Sequence, residues 1–567
     1  MDRLNLRPGL FRRASARVIL LIVLGVLCTG SALTPLPARA ENLVTSISNV
    51  AATSGPLARA YALPQEAEAE AAAQEAEAEA AAQEAAAQEG TDASDEAAQE
   101  ALGDEAASEG GAQEAEGEEH GPSPPVWLVL PFVIILLMIA TGPLFYAHHW
   151  HHHYPKYAVG LGLFVTFYYI FGMGTVTPVQ HAVDEYLSFI ALVASLFIAA
   201  SGIFVSINAR GNPRNNIILL LIASIIANLI ATTGSAMLFI RSYMRLNKGR
   251  LKSYHIVFFI FLVANVGGAL TPIGDPPLFL GFLRGVPFFW TFTHVWYIWL
   301  PTTVMILTVF YFFDRRNREA GPEPDPSKPM LGVRGSKSFA WVFLIIVLVF
   351  VDPNVFSWVP SPKNLHLPFG FHLPFGIREA GMFLVAYLAF KTADKEAMAL
   401  NEFNFEPIRE VGWLFLGIFA TMQPALELIS EFAHAHHESL TVGMFYWSTG
   451  ALSGILDNAP TYLNFVAAAM GKFGLDVNVP AQVREMALPE MAHPESWYFL
   501  QAISVAAVFF GAMTYIGNAP NFMVKAIAEA NGVETPSFMG YVLRYSIPIL
   551  LPIYFIIYAV FYSGWIL

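Results

Sequence analysis

The sequence predicts an all-α membrane protein that crosses the bilayer many times. The chain has 567 residues, of which 55% are hydrophobic and 14% aromatic, and its mean hydropathy is +0.49. Soluble domains contain about 45–50% apolar residues, and here apolar stretches of about 20 residues or more recur along the chain. These observations predict about 10 transmembrane helices plus two re-entrant hairpins, arranged as two inverted repeats with broken helices.

The N-terminal 125 residues are predicted to lie outside the membrane region. Residues 1–40 have the basic start, the apolar run and the small-residue cleavage site of a secretory signal peptide, although an uncleaved signal anchor is the alternative. Residues 41–125 hold 20 acidic residues in a Glu-Ala-Gln-rich tract, which predicts a disordered or transiently helical extracytoplasmic tail. The only cysteine, Cys28, falls in the signal, so a mature chain excludes disulfides and thiolate metal sites.

Twelve apolar segments follow the tail and define the predicted membrane elements. A cleaved signal places the tail outside a bacterial-type inner membrane, with the first segment running inward. The segments are 126–146, 157–173, 185–206, 215–240, 254–283, 288–313, 338–358, 379–391, 411–430, 441–470, 496–524 and 544–564.

The segment 215–240 cannot be a simple crossing, because Lys and Arg flank it on both sides. A hairpin that enters and leaves on the cytoplasmic side satisfies both flanks, and its tip falls at residues 228–235. Segment 441–470 is interpreted as the matching hairpin, open to the outside, with Asp457 and Asn458 at its tip. With both hairpins in place, the loops assigned inside hold 19 Lys and Arg, whereas those assigned outside hold 6.

These elements predict a domain organisation with two related halves. Each half contains a helix, a hairpin, a broken helix and a further helix, in that order. The predicted parts are N-terminal transmembrane helices 126–182, transporter repeat 183–313, connecting helices 314–409 and transporter repeat 410–567.

Two aspartates lie inside apolar stretches that prolines interrupt. Asp275 is in Gly274-Asp-Pro-Pro277, and Asp457 is in Asp457-Asn-Ala-Pro-Thr461. A charge at bilayer depth costs at least about 2.5–3.5 kcal/mol, and irregular backbone is tolerated there only around protein or water. The pattern predicts a transport site in which both carboxylates compete for H⁺ and a monovalent cation; helix capping is the alternative for each.

Neutral ligands are expected beside these carboxylates, because carbonyl and side-chain oxygens suit hard cations. Glu427 and Lys525 are further candidates as proton relays, with interfacial anchoring as the alternative, and Arg378 and Glu379 are expected to be interface anchors. The predicted neutral ligands are Asn228, Thr232, Thr233, Thr271, Gly274, Asn458, Thr461, Asn518 and Asn521.

Two histidine clusters offer an interpretation from a different class, a membrane di-iron enzyme. They are a His-rich loop at 148–153 and the cluster at 434–437. The threading places them on opposite sides of the membrane, so they cannot share a metal. A surface metal-binding or pH-sensing role for His148–His153 stays open beside a simple interfacial band. No enzyme motif occurs in a suitable context, so neither catalysis, a resident metal, a cofactor nor nucleic-acid binding is expected.

The motifs at the four irregular points resemble those of NhaD-type sodium/proton antiporters. These belong to an ion-transporter superfamily that also contains citrate, dicarboxylate and arsenite carriers. The likeness covers roughly residues 185–565, and it implies a scaffold domain, a moving transport domain, elevator-like alternating access and a homodimer. It is carried by Ala231–Met237, Asn265–Gly281, Leu456–Tyr462 and Tyr515–Lys525.

The function expected from the sequence is secondary active exchange of Na⁺ (or Li⁺) for H⁺ across the lipid bilayer. A citrate-type carboxylate carrier of the same superfamily is the alternative. Two aspartates would repel its substrate unless a divalent cation accompanied it, and none of the four motifs contains an arginine. A di-iron enzyme is the remote alternative, because it leaves the two broken helices unexplained.

Overall fold

The computed structural model describes residues 123–353, 355–356, 358–360, 373–488 and 493–563. The predicted signal peptide and all but the last residues of the acidic tail lie outside the described residues. Within the described part, nine helices are long and apolar enough to cross a membrane. This confirms the predicted class of an all-α polytopic membrane protein.

Three helices open the membrane region: α1 (Leu130–Phe145), α2 (Ala147–Phe167) and α3 (Thr177–Ser201). A π-helical turn at Tyr168–Met173 extends α2. The predicted loop at His148–His153 is wrong, because these residues form the first turns of α2. Only Tyr146 separates α1 from α2, so the chain has no room for a loop there.

The first hairpin is confirmed by the two ends of α4 (Pro213–Leu246). The side-chain amides of Asn216 and Asn247 exchange two hydrogen bonds, of 2.9 and 2.8 Å. In a straight helix these residues would lie about 46 Å apart, at 1.5 Å per residue. The turn is made at Ile230 and Ala231, which have non-helical backbone angles.

The first broken helix follows the hairpin and is also confirmed. It consists of α5 (Ser253–Leu262), a 3₁₀ turn at Val266–Leu270, an irregular segment and α6 (Pro276–Arg284). The straight helix α7 (Trp290–Arg315) completes this half of the molecule.

A buried ion pair clamps the open end of the first hairpin. The Asp314 carboxylate, at the end of α7, accepts hydrogen bonds from Arg250 Nη2 at 2.6 Å and Tyr254 Oη at 2.7 Å. It also accepts one from Asn216 Nδ2 at 2.8 Å. Since these donors come from the hairpin, the loop after it and the start of α5, the cluster ties these three segments to α7.

The connecting region departs from the prediction in length. A two-stranded antiparallel pair joins β1 (Phe204–Ile207) to β2 (Leu331–Arg334), with Phe204 opposite Arg334. The helices α8 (Lys337–Val349) and α9 (Ile377–Thr392) have 13 and 16 residues. Both are shorter than the roughly 20 residues that cross a bilayer. The helix α8 ends well before the predicted segment 338–358 does, whereas α9 extends the predicted segment 379–391 at both ends. The short helix α10 (Lys395–Leu400) follows.

The second half repeats the element order of the first. A long helix leads into a hairpin, which has the rings of Phe445 and Phe465 on its two legs 6.2 Å apart, and a broken helix follows. A π-helical turn at Val542–Leu550 lies in the last span. The helices are α11 (Glu406–Ala435), α12 (Val442–Ser453), α13 (Asn458–Lys472), α14 (Pro480–Ala487), α15 (Ser496–Phe510), α16 (Ala519–Ala530), α17 (Phe538–Tyr541) and α18 (Leu551–Phe561).

The two broken helices form the centre of the molecule. In the spans that contain α5 and α15, 83% of the residues are buried, compared with 22% for the span that contains α2. A helix that is apolar on every face must be surrounded by other helices. The two breaks are therefore held inside protein, where irregular backbone can be tolerated at membrane depth.

Candidate functional site

All four irregular segments meet at one carboxylate, that of Asp275. The side chain is 1% exposed. Its Oδ1 accepts hydrogen bonds from Thr232 Oγ1 at 2.8 Å and Asn518 Nδ2 at 2.9 Å, and its Oδ2 accepts one from Asn458 Nδ2 at 2.6 Å. The donors come from the first hairpin, the second break and the second hairpin. Each of these residues was a predicted site residue, and the structure brings all of them into direct contact with Asp275.

The local sequence explains why this carboxylate points into the site and does not cap α6. A capping side chain accepts from the second or third amide of its helix. Here the second residue is Pro277, which has no N–H, and the N–H of Leu278 bonds to the backbone oxygen of Asp275 at 3.1 Å. No hydrogen bond joins the Asp275 side chain to the first turn of α6.

Asp457 has the opposite arrangement, because it caps α13. Its carboxylate accepts a hydrogen bond from the Ala459 amide at 3.0 Å, while Thr461 Oγ1 donates to its backbone oxygen at 2.8 Å. The side chain is half-buried. The neighbouring Asn458 turns towards Asp275, so it is the amide and not the carboxylate of this hairpin tip that contacts the central group.

Several predicted ligands hold the first hairpin against the first break. Asn228 Oδ1 accepts from the Leu270 amide at 2.8 Å, and Thr271 Oγ1 donates to the backbone oxygen of Asn228 at 2.6 Å. The Gly274 oxygen accepts from the Thr232 amide at 2.8 Å. These contacts give Asn228, Thr271 and Gly274 a positioning role around Asp275.

Thr233 lies next to this group, but no hydrogen bond links it to Asp275 in the described structure. Its side chain is half-buried, two residues beyond Ala231 at the turn of the hairpin. The helical spacing after Thr232 directs successive side chains about 100° apart, which accounts for the different surroundings of the two threonines.

The second break is held by paired asparagines. Asn521 Nδ2 donates to the backbone oxygens of Gly511 at 2.8 Å and Thr514 at 2.9 Å, and its Oδ1 accepts from Asn265 Nδ2 at 2.7 Å. Asn518 Nδ2 also donates to the Ala264 oxygen at 3.0 Å. Asn265 was not among the predicted site residues, although it opens the motif that contains Asp275 and is a buried polar residue at the same depth.

Two side-chain oxygens near the second break lack a hydrogen-bond partner in the part of the chain that the structure describes. They are Asn265 Oδ1 and Asn458 Oδ1, both on fully buried side chains. A Cβ placed on Gly511 would lie 2.8 Å from Asn265 Oδ1, 3.2 Å from the Gly517 oxygen and 3.4 Å from Asn458 Nδ2. Glycine at position 511 therefore allows these polar groups to approach one another closely. Together with the carboxylate of Asp275, their oxygens are of the type that binds a small hard cation.

The two predicted proton relays lie elsewhere. Glu427 Oε1 accepts a hydrogen bond from Tyr169 Oη at 3.3 Å, which joins α11 to the π-helical turn after α2. Lys525 pairs with Glu529 at 2.7 Å, one turn along α16. The i,i+4 geometry of a helix thus gives Lys525 an ion-pair partner on its own helix, and the roles of Glu427 and Lys525 as proton relays stay predictions.

Sequence reasoning missed a second polar cluster, around a cavity of about 230 Å³. Arg284 forms an ion pair with Glu185, and Arg378 pairs with Asp352 and, at 2.6 Å, with Glu379. The expected interface anchors Arg378 and Glu379 are instead 9% and 3% exposed. Their partners are distant in sequence, so only the fold reveals the cluster.

Among the described residues, no three His, Cys, Asp or Glu side chains are placed to share a metal ion. The histidines at 148–153 and 434–437 therefore do not form a multi-ligand iron centre there. This arrangement gives the di-iron interpretation no structural support.

A comparison with protein families matches most of the chain. The family model described as "Putative citrate transport" matches residues 121–562. No curated protein matches the chain. The matched range includes both hairpins and both broken helices, and it leaves out residues 1–120, which hold the predicted signal peptide and nearly all of the acidic tract.

Proposed function

The chain belongs to the citrate transport family and is a multi-pass membrane transporter; on that premise we propose that it is a secondary active transporter in which Asp275 binds the coupling cation. The observation that carries this proposal is the contact of one buried carboxylate with donors from three other segments. A transporter family also argues against the di-iron enzyme.

Exchange of Na⁺ (or Li⁺) for H⁺ is the reaction that this geometry supports best. Oδ2 of Asp275 accepts one hydrogen bond from a protein side chain, so the carboxylate keeps capacity for a proton or a metal ion. Either ion would neutralise the same charge, and the two would therefore compete. That competition is the minimum requirement for exchange.

The amide oxygens that lack a hydrogen-bond partner support binding of a metal cation in addition to a proton. Asn458 offers an N–H to the bare carboxylate, whereas its Oδ1 could face a bound Na⁺ after rotation of the amide. The backbone oxygen of Gly517 and Asn265 Oδ1 lie close to Gly511, as Asn458 Nδ2 does. Neutral oxygens around one carboxylate are the ligand set expected for a weakly held monovalent cation, which must also be released.

The arrangement of the hairpins supports alternating access. Asp275 bonds to both hairpin tips at once, so occupation of its carboxylate acts on elements from both halves of the molecule. Related transporters with inverted repeats bind their ions near the midplane, between such broken helices. An elevator-like movement and a homodimer are proposals from the resemblance alone.

Citrate transport is the second candidate, favoured by the description of the family. The site around Asp275 contains a carboxylate and amides, and within the described structure no Lys or Arg hydrogen-bonds to its side chain. The two arginines at the 230 Å³ cavity are paired with Glu185, Asp352 and Glu379, which offset their charge. A polycarboxylate would therefore need a cation to accompany it.

Transport in everted vesicles separates the two candidates. A pH dye would report proton movement after addition of Na⁺, Li⁺, K⁺ or citrate, and labelled citrate would report uptake. We expect Na⁺ or Li⁺ to move protons in the wild type and in Glu323→Gln, a matched acid-to-amide control on an exposed residue. Asp275→Asn should lose the response.

The outcomes are distinct. Citrate uptake that needs a cation and is lost in Asp275→Asn would keep the cation site and replace exchange by carboxylate transport. Activity of either kind that survives unchanged in Asp275→Asn would refute the proposed role of Asp275.

A further inference from the structure

Histidine pairs occupy one exposed surface at the start of α2, far in sequence from the Asp275 site. Residues 148–153 contain five histidines, and two pairs are separated by four residues, which places their members one helical turn apart. The ring centroids of His148 and His152 are 4.7 Å apart, and those of His149 and His153 are 4.4 Å apart. Rings at this spacing can direct nitrogen atoms to a common point.

Hydrogen bonds to the backbone fix which ring nitrogen is available. His152 Nδ1 lies 2.8 Å from the backbone oxygen of His148, and His153 Nδ1 lies 3.0 Å from that of His149. Because a carbonyl oxygen only accepts, Nδ1 carries the proton, and Nε2 of a neutral ring keeps its lone pair. Metal-binding histidines are typically oriented by the same contact between the other ring nitrogen and a carbonyl.

The two pairs differ in how open they are. His149 Nε2 is 2.8 Å from Tyr157 Oη and is therefore already engaged. The His148 ring makes no hydrogen bond within the described residues, and both His148 and His152 are exposed to solvent. In the pair of His148 and His152, each ring therefore has a nitrogen atom that makes no hydrogen bond within the described residues.

We propose that His148 and His152 chelate a transition-metal ion with affinity for imidazole, namely Cu²⁺, Zn²⁺ or Ni²⁺. Imidazole nitrogen suits these ions, and Cu²⁺ binds most tightly to a given nitrogen site. No third His, Cys, Asp or Glu completes the group among the described residues, so water fills the other positions. The site is thus an open, exchangeable surface site. It does not depend on the proposed transport reaction.

The second histidine cluster provides a matched control. His434 and His437 are three residues apart, and their ring centroids are 6.4 Å apart. Nδ1 of His434 bonds to the Gly471 oxygen at 3.2 Å, so that ring is oriented towards the second hairpin. This pair has the same residue types but lacks the closely spaced rings of His148 and His152.

The test is Cu²⁺ binding to the full chain in detergent, purified through a tag without histidine. Electron paramagnetic resonance would report nitrogen ligands, and calorimetry with Zn²⁺ would give the stoichiometry. We expect His148→Ala/His152→Ala to weaken binding at least tenfold, with the folded, monodisperse state checked by size exclusion. His434→Ala/His437→Ala should bind as the wild type does.

Two results would overturn the proposal. One is unchanged metal binding in His148→Ala/His152→Ala. The other is loss of binding only in His149→Ala/His153→Ala, which would assign the metal to the other pair. A nitrogen-coordinated Cu²⁺ spectrum that disappears in either single variant, His148→Ala or His152→Ala, would support a two-histidine chelate.

Discussion

The two breaks are built on the same backbone but carry different charge. Gly268–Pro277 and Gly511–Pro520 share Gly, Ala, Thr, Ile, Gly and Pro at the same spacing. In the second break, a Cβ on Gly517 would lie 2.6 Å from the Gly511 oxygen, and one on Gly274 would collide with the Gly268 oxygen. At the eighth position the first break has Asp275 and the second Asn518. The repeated frame thus presents one carboxylate and its amide counterpart.

These counterparts touch each other, since Asn518 Nδ2 donates to Asp275 Oδ1 at 2.9 Å. Two carboxylates at this distance could not both be ionised. The amide in the second half therefore leaves a single carboxylate at this pair of equivalent positions. The comparison shows that the repeated sequence places Asp275 and Asn518 at equivalent positions in the two breaks. The difference between Asp and Asn at these positions supplies the ionisable group.

Removal of that charge should have the largest effect. Truncation of a buried, hydrogen-bonded charge costs about 2–5 kcal/mol in binding, which is about 30-fold to several thousand-fold. Asp275→Asn should therefore abolish cation-coupled transport in vesicles. The near-equal shape of the amide keeps the packing, and normal yield and monodispersity of the variant would check this.

The exchanged variant Asp275→Asn/Asn518→Asp sharpens the comparison. It keeps one carboxylate but moves it to the other half of the frame. Because Asn458 bonds to the side chain at position 275, we expect transport to recover only in part. Full recovery would mean that the two halves are equivalent and that the asymmetry has no functional role.

The open ends of the two hairpins also differ. Asp314 and Arg250 form a buried pair at the base of the first, with side chains 0% and 2% exposed. At the base of the second hairpin, Lys472 donates to the backbone oxygen of His437 at 2.5 Å, in an exposed contact. The base of the first hairpin is thus held by a buried ion pair, whereas this contact at the base of the second is exposed.

Asp314→Asn should destabilise the protein by about 3–5 kcal/mol, because it leaves Arg250 buried without a counter-charge. Lys472→Gln should change the stability by less than about 0.5 kcal/mol, as exposed substitutions usually do. Thermal unfolding in detergent, followed by fluorescence, would compare them. Equal effects of the two substitutions would contradict the difference between the hairpin bases.

The sequence was sufficient for the architecture and for the centre of the site. Basic residues on both flanks predicted the first hairpin, and prolines beside aspartates predicted the breaks, because both signals are local. The ion pair between Arg250 and Asp314 joins residues 64 positions apart, so no local sequence pattern predicts it. The different roles of the two aspartates also could not be assigned without the fold. The missing N–H of Pro277 is nevertheless a local indication that the Asp275 side chain does not cap α6.

Substitutions of Asp457 test whether its side chain acts only as a helix cap. Asn caps a helix about as well as Asp, whereas loss of the cap costs about 1 kcal/mol. We therefore expect Asp457→Asn to keep the stability and to impair transport less than Asp275→Asn does. Asp457→Ala should lower the stability by about 1 kcal/mol. If Asp457→Asn were as inactive as Asp275→Asn, the result would support the prediction of two carrier carboxylates.

The hairpin tips provide the smallest difference. The first turns through Ala231, whose φ of 64° and ψ of 158° lie in a region almost restricted to glycine, whereas Asp457 at the second tip has φ −61° and ψ 135°. Such backbone strain costs about 1–3 kcal/mol, and the flexibility of glycine in the unfolded chain offsets about 0.5–1 kcal/mol. Ala231→Gly should therefore raise the stability by about 1 kcal/mol in thermal unfolding, with Ala459→Gly at the second tip as the destabilising control. A lower stability for Ala231→Gly would mean that the methyl group packs favourably enough to outweigh the strain, and that the two tips are more alike in energy than their backbones suggest.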